Sequence, residues 1–455
     1  MEGGNSVSEE TPTFDTLDAV VEHYRLKSQI PGLSVGTLID GDFRGSGYGV
    51  ISLETNYPTR ADTLFQIGSN TKVMTATVVM QLVEQGKLHL DTPIVEYLPE
   101  LELSDKEAQE QITMRHLLTH QSGIDGDIFD DTGVGDDALQ TMIAKAKGWK
   151  QETKPGEQWS YCNSGFYIAG RILEVTLGQS YETIMNERLF APLGMERSFW
   201  FAQDAIYYST AAGHQQMPGQ EHPTLAKPWP IPRNAAAAGA AISNVEDVLK
   251  FMAFHMSGSK TAEGIISSDS VAAMQVPQRR VTSQIEWGIG WTLGDVGGQR
   301  VLYHGGTTNG QNSQMYAVPD KNFAISILTN SGKGSEAIGP IIDWALERYC
   351  GLKKEKLQPI EMSTADLERY AGTYQRAIGA TIVSVEDKKL KLETTINHPL
   401  THEEIVFPAE YIIPLGNDEF IGAGEDDGDN VTQFIGDVGG HPRFIRSGYR
   451  LVPRV

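Results

Sequence analysis

The chain has 455 residues, 40% hydrophobic, 8% aromatic and 21% charged, which is the balance of a folded protein with a core and excludes a disordered one. At about 150 residues per domain, that length predicts two or three domains. The 59 acidic residues against 37 basic ones leave a net charge of −22, which argues against nucleic acid as a partner, since phosphates need clustered Lys and Arg.

In chain order, residues 1–13 form a polar, acidic tail without the basic and apolar regions of a signal peptide. That favours the cytoplasm, whereas removal of a leader would mean the periplasm or secretion. Residues 14–25 predict an amphipathic helix, and 32–39 and 43–51 two strands joined by a turn at Asp40 to Asp42. Apolar side chains at Val73, Met74, Val78, Leu82 and Val83 recur at helical spacing through 69–84, with Gly86 as a stop. Residues 113–120, 165–177 and 245–256 predict further helices, and 207–234 a long loop rich in Pro, His and Gln. Strands follow at 301–304, 314–318 and 324–329, then a helix at 338–349. A sheet must then be assembled from both ends of this region, and hairpin links favour antiparallel pairing, so an α+β domain is expected. After a linker at 353–359, short strand candidates at 372–375, 381–385, 389–393, 404–408, 419–422, 431–435 and 444–451 suggest a small antiparallel barrel or sandwich. The acidic run 425–429 lacks calcium-loop spacing and reads as a solvated turn. No run of about 20 apolar residues predicts a membrane span. Cys162 and Cys350 are too few for a disulfide framework or a four-thiolate zinc site and read as free thiols.

Several motifs could carry chemistry. Gly32-Leu33-Ser34-Val35-Gly36 has the G-x-S-x-G pattern, but the strand continues past Ser34 where a nucleophile needs a strand-to-helix turn. Ser69-Asn70-Thr71-Lys72 opens an apolar helix and puts hydroxyl and amine on one face, near backbone N–H groups. The second S-x-x-K, Ser257-Gly258-Ser259-Lys260, sits in a Gly-rich polar stretch and reads as chance. Tyr161-Cys162-Asn163 follows a turn and precedes a helix; a nearby ammonium would make its phenolate accessible. His304-Gly305-Gly306-Thr307 ends a strand, with glycines that permit a close backbone approach. Taken singly, each has a plain structural reading: a helix cap with a solvated lysine, a packed loop, a bulge.

Their order is more specific. S-x-x-K, then Y-x-N, then H-G-G resembles the serine β-lactamase and penicillin-binding-protein superfamily, in its class C β-lactamase, DD-peptidase and esterase branch. Phe65-Gln66-Ile67-Gly68, the segment from Ile112 to Gly123 (ITMRHLLTHQSG) and Pro192-Leu193-Gly194-Met195 match the same family. The resemblance implies an antiparallel sheet flanked by helices plus a mostly helical subdomain over residues 14–352. Residues 360–455 resemble the lipocalin-like barrel appended to some members, on Tyr370-Ala371-Gly372-Thr373-Tyr374 and strand spacing.

The resemblance also implies roles. Ser69 would be the nucleophile, with Tyr161, as phenolate or poised by Lys72, taking its proton. Asn163 would orient Lys72 and the acyl group. His304 would tune Tyr161 or pass a proton to the leaving group. The backbone N–H groups of Ser69 and Thr307 would hold the oxyanion, with Gly305 and Gly306 beside the substrate. No metal or organic cofactor is implied. One departure stands out: the third motif has His304 where antibiotic-destroying relatives carry lysine, which removes a fixed cation for a β-lactam carboxylate. An esterase or a peptidase, including one acting on D-residues, is therefore expected, with a β-lactamase as the alternative and a non-catalytic scaffold or ligand-binding protein as the alternative of another class. Loops 125–137 and 199–234 would shape specificity. Trp200, Trp229, Trp287 and Trp291 could line a pocket or pack the core. The C-terminal domain would be a lid or a dimerisation element.

Overall fold

The computed structural model describes residues 12–217, 219–257, 265–377, 379–397, 403–424 and 431–455. The second S-x-x-K, the acidic run 425–429 and most of the N-terminal tail lie outside these residues. The first layer is an antiparallel sheet of eight strands. Its members are β1 (Gly32–Ile39), β2 (Asp42–Gly49), β3 (Arg279–Arg280), β4 (Glu286–Trp287), β5 (Thr292–Val296), β6 (Gln299–Thr308), β7 (Gln311–Val318) and β8 (Phe323–Thr329), in the order β2-β1-β8-β7-β6-β5-β4-β3. β1 pairs with β8, with Leu33 opposite Thr329 and Ile39 opposite Phe323, so the two chain ends of this region meet in one sheet, as the sequence predicts.

Alternation divides the sheet into two faces. Phe323, Ile325 and Ile327 of β8 pack with α1 (Leu17–Lys27) and α5 (Ser335–Ala345), while Ala324 and Leu328 point into the larger core under α4 (Val245–Ser257). That larger core also holds α2 (Thr71–Glu84) and α3 (Asn163–Leu177), the heart of the helical subdomain. Every residue of α2 from Thr71 to Leu82 is buried. Its threonines are tolerated there because each hydroxyl donates to a carbonyl one turn back, Thr71 to Gly68 (2.7 Å), Thr75 to Thr71 (3.1 Å) and Thr77 to Val73 (2.9 Å).

An extended stretch leads to a second sheet. Its strands are β9 (Gly372–Arg376), β10 (Gly379–Glu386), β11 (Lys389–Asn397), β12 (Glu404–Val406), β13 (Glu410–Gly416), β14 (Glu419–Gly422), β15 (Thr432–Ile435), β16 (Phe444–Ser447) and β17 (Arg450–Pro453). They run antiparallel in chain order, with β12 pairing only to β11, and a bridge from Tyr374 to Arg454 brings first and last strands together into a nearly closed barrel. Tyr370, Tyr374, Phe420 and Phe434 fill it, edge on or tilted to one another. One expectation is corrected here, and one strand is added. The run 444–451 is not one strand but a hairpin turning at Gly448 (φ +53°) and Tyr449 (φ +66°). β13 was not predicted, because its Pro414 reads as a strand breaker. Among the described residues, no helix is long and apolar enough to cross a membrane.

Candidate active site

A cavity of about 730 Å³ opens between the sheet and the helical subdomain, and Ser69, Tyr161, Asn163 and His304 line it. Ser69 sits in a single turn, Gly68–Asn70, that leads into α2. The turn is tied to the sheet. Asn70 Nδ2 donates to Ser313 Oγ (3.0 Å), which donates to the Ile67 carbonyl (2.7 Å). The backbones also press together: a Cβ on Gly306 would lie 2.0 Å from the Ile67 carbonyl oxygen, and one on Gly68 2.7 Å from the Thr307 nitrogen. Gly306 therefore serves the contact between β6 and the turn that carries Ser69, and it also lines the cavity. Gly305, whose Cβ would meet the Gln314 side chain at 2.9 Å, also lines the cavity.

Lys72 lies one turn beyond Ser69 on the same face, its Nζ 3.0 Å from Ser69 Oγ. It is fully buried, so the solvated-lysine reading does not hold. Nζ also donates to Asn163 Oδ1 (2.7 Å) and to the Ala238 carbonyl (2.6 Å). Asn163 is brought there by the first turn of α3, whose N-cap is Cys162, the thiol accepting from Gly165 N–H (3.3 Å). Burial, and then the charge of Arg450, hold the Lys72 amine well below its ordinary range. Burial drives the Tyr161 phenol the other way, above its ordinary value, although its hydrogen bond with Ser69 opposes this. Burial thus favours the uncharged forms of both the amine and the phenol, and works against a resting phenolate.

His304 stands on β6 with its ring 6.2 Å from that of Tyr161. Its Nδ1–H donates to the Gly305 carbonyl (2.7 Å), which leaves Nε2 as a buried lone pair without a partner. Burial, helped by Lys72, pulls its pKa down to about 3. His304 is thus a neutral acceptor in the neutral pH range and does not carry a proton for a leaving group there. Opposite it, His120 stacks on Tyr161 at 4.2 Å and accepts from Cys162 N–H (2.9 Å).

Both rim loops reach the cavity, through Phe129 and Asp130 from one and Pro230 and Asn234 from the other. Trp287 joins the wall, while Trp200 stacks on Phe190 and Trp291 packs on His255 in the core. Ser34 is a strand residue whose hydroxyl donates to the Arg60 carbonyl (2.8 Å). The sequence reading missed Tyr449 and Arg450, which the barrel's last hairpin extends into the cavity, and Asp127, which binds Arg450. A signal existed: Arg443, Arg446, Arg450 and Arg454 crowd the end of a strongly acidic chain.

Residues 17–345 match the family described as Beta-lactamase. The chain belongs to that family. It is also 33% identical over 369 residues to penicillin-binding protein 4 of Amycolatopsis lactamdurans, covering 78% of this chain and 96% of the relative. Among solved structures, SurE with D-Leu superposes over 97% of this chain and 99% of its own with a TM-score of 0.75 at 23% identity. The octameric penicillin-binding protein homologue from Pyrococcus abyssi does so over 96% and 99%, with a TM-score of 0.68 at 24% identity. The β-lactamase fold and its appended barrel are thus shared along nearly the whole chain.

Proposed function

We propose that this member of the Beta-lactamase family is a serine hydrolase that forms a covalent acyl-enzyme on an ester or amide, including amides and peptides with D-residues. One observation carries the reading: at the mouth of the cavity, Ser69 Oγ touches both the buried Lys72 amine and the Tyr161 phenol. A neutral amine has two N–H groups and one lone pair. With the N–H groups directed to Asn163 and Ala238, the lone pair faces Ser69 and takes its proton as Oγ attacks the carbonyl carbon. The oxyanion is held by the N–H groups of Ser69 and Thr307, a pairing supported by the contact of Gly68 with Thr307. Collapse breaks the bond to the leaving group, which takes its proton from the Tyr161 hydroxyl. Water then adds to the acyl carbon, its proton returns through the same groups, and the acid departs. The D-residue preference draws on the likeness to SurE, solved with D-Leu. β-Lactam hydrolysis is the second reading, disfavoured because the third motif offers neutral His304 and no fixed cation.

The test is stopped-flow hydrolysis of p-nitrophenyl acetate by the wild type and Ser69→Ala, with intact-mass detection of a fluorophosphonate or penicillin adduct. A stoichiometric burst and an adduct in the wild type, both absent in the variant, are expected. Equal rates in the two proteins and no adduct would replace the enzyme with the scaffold reading.

A further inference from the structure

Three of the four closing arginines reach out of the barrel to the segment that carries Tyr161 and to the loop beside it. Arg443 Nη1 donates to Glu157 (2.9 Å), Arg446 Nη1 to the Trp159 carbonyl (3.0 Å) and Arg450 Nη2 to Asp127 (3.0 Å). The backbones are joined as well: Tyr161 N–H donates to the Tyr449 carbonyl (2.9 Å), and Leu451 N–H to Ser160 Oγ (3.2 Å). The β16–β17 turn is thus a wall of the catalytic cavity.

Within that wall, the Arg450 guanidinium lies 4.7 Å from the centre of the Tyr161 ring. Its Nε and Nη2 bind the Asp127 carboxylate, and Nη1 donates to the Gly448 carbonyl (3.2 Å). The edge that would clamp a substrate carboxylate is therefore occupied. Asp127 also binds Arg376; one carboxylate between two guanidiniums leaves the group net positive. The other titratable groups around Tyr161 are Lys72, 4.9 Å from the ring, the stacked His120, the adjacent Cys162 and His304. Burial favours the uncharged forms of both imidazoles, the thiol and the Lys72 amine. Arg450 is the permanent cation facing the phenol.

We propose that Arg450, delivered by the C-terminal barrel, is a positioning residue of the hydrolytic centre: it is the fixed cation against Tyr161 that the lysine-less third motif does not supply, and it keeps the Ser69–Lys72–Tyr161 relay in its proton-poor, reactive state. The inference rests on the hydrolase reading above. A positive charge here disfavours the Lys72 ammonium and favours charge development on the Tyr161 oxygen, so catalysis and barrel docking are one device.

The experiment measures acylation by p-nitrophenyl acetate against pH for the wild type, Arg450→Met, Arg450→Gln and Arg450→Lys. This substrate has no carboxylate, so an effect on it cannot come from substrate recognition. Loss of the cation is expected to move the acid limb of the rate profile up by about one pH unit, slowing acylation on that limb about tenfold with KM within about threefold. Arg450→Lys keeps the charge and is expected to keep the limb. Asp127→Asn, which removes the balancing carboxylate and retains the cation, moves the limb down; that variant decides if Arg450→Met fails to fold. An unmoved limb, a loss confined to KM, or Arg450→Lys as impaired as Arg450→Met overturns the proposal. A wild type that forms no fluorophosphonate adduct at Ser69 overturns the hydrolase reading instead, so the two failures are distinct.

Discussion

In the proposed hydrolase, Lys72 is an ordinary residue type that burial would turn into a reagent. Burial lowers the Lys72 pKa well below its ordinary value, which pushes the amine toward neutrality, the form that has a lone pair to offer Ser69. Lys72→Arg should therefore remove the base while keeping a cation, and the guanidinium does not deprotonate. Acylation is expected to fall by about a thousandfold, the middle of the range for positioned acid–base groups, as read by burst kinetics with p-nitrophenyl acetate. A loss under about tenfold would move the base to Tyr161. His304 makes the opposite case. With its pKa near 3 it stays neutral through the neutral range, so His304→Gln should change the rate without changing the position of the acid limb. A limb that vanishes in this variant would make His304 the titrating group.

At the scale of elements, the site depends on two backbones held in contact. Gly306 of β6 faces the Ile67 carbonyl, and a methyl there has 2.0 Å in which to fit. Gly306→Ala should push β6 off the turn that carries Ser69, costing about 1–3 kcal/mol as overpacking does, and moving the Thr307 N–H away from the proposed oxyanion position. Urea denaturation and burst kinetics together check this: both should fall, and an active variant of unchanged stability would refute the contact. The sequence made the parts of this device legible and not their joint. Short strand-like apolar runs predicted β1, β6, β7 and β8, and the apolar spacing along α2 predicted the helix behind Ser69, because a buried face marks its own residues locally. Gly305 and Gly306 were legible as a place of close approach. That Gly306 also meets Ile67 depends on pairing across more than 200 residues, which no local pattern records. The 444–451 hairpin failed for a related reason. Its turn is built from Gly448 and from Tyr449, which adopts a left-handed conformation that the residue type does not advertise, so Arg450 was lost inside a supposed strand.

Across the whole molecule, function and acid stability draw on the same buried groups. His120 and His304 both lie against Tyr161, His255 lies beside Thr77 of α2, and burial holds all three below the ordinary imidazole value, His255 and His304 at about 3. A base with a lowered folded pKa binds its proton more readily when unfolded, so stability falls as pH drops below about 6.5 and continues falling until the folded pKa is reached. Each such histidine contributes up to about 1.4 kcal/mol per pH unit in that window. Asp127 adds a later step. Burial raises its pKa, but Arg450 and Arg376 more than offset that and leave it lowered. Its contribution is therefore complete above about pH 4 and is lost as the folded carboxyl protonates, which loosens the barrel from the Tyr161 segment. Two acid transitions should follow: a steady decline in urea midpoint from about pH 6.5 downward, then loss of barrel docking near or below pH 4. His255 bonds Thr77 Oγ1 (3.0 Å) outside the cavity, so His255→Gln, which keeps a polar partner for Thr77, separates the terms. Its stability should be lower at pH 7 but less dependent on pH between about 6.5 and 5, while the second transition stays in place. A pH slope identical to wild type would remove His255 from the account, and one transition in place of two would mean that the barrel and the catalytic layer unfold as a single unit.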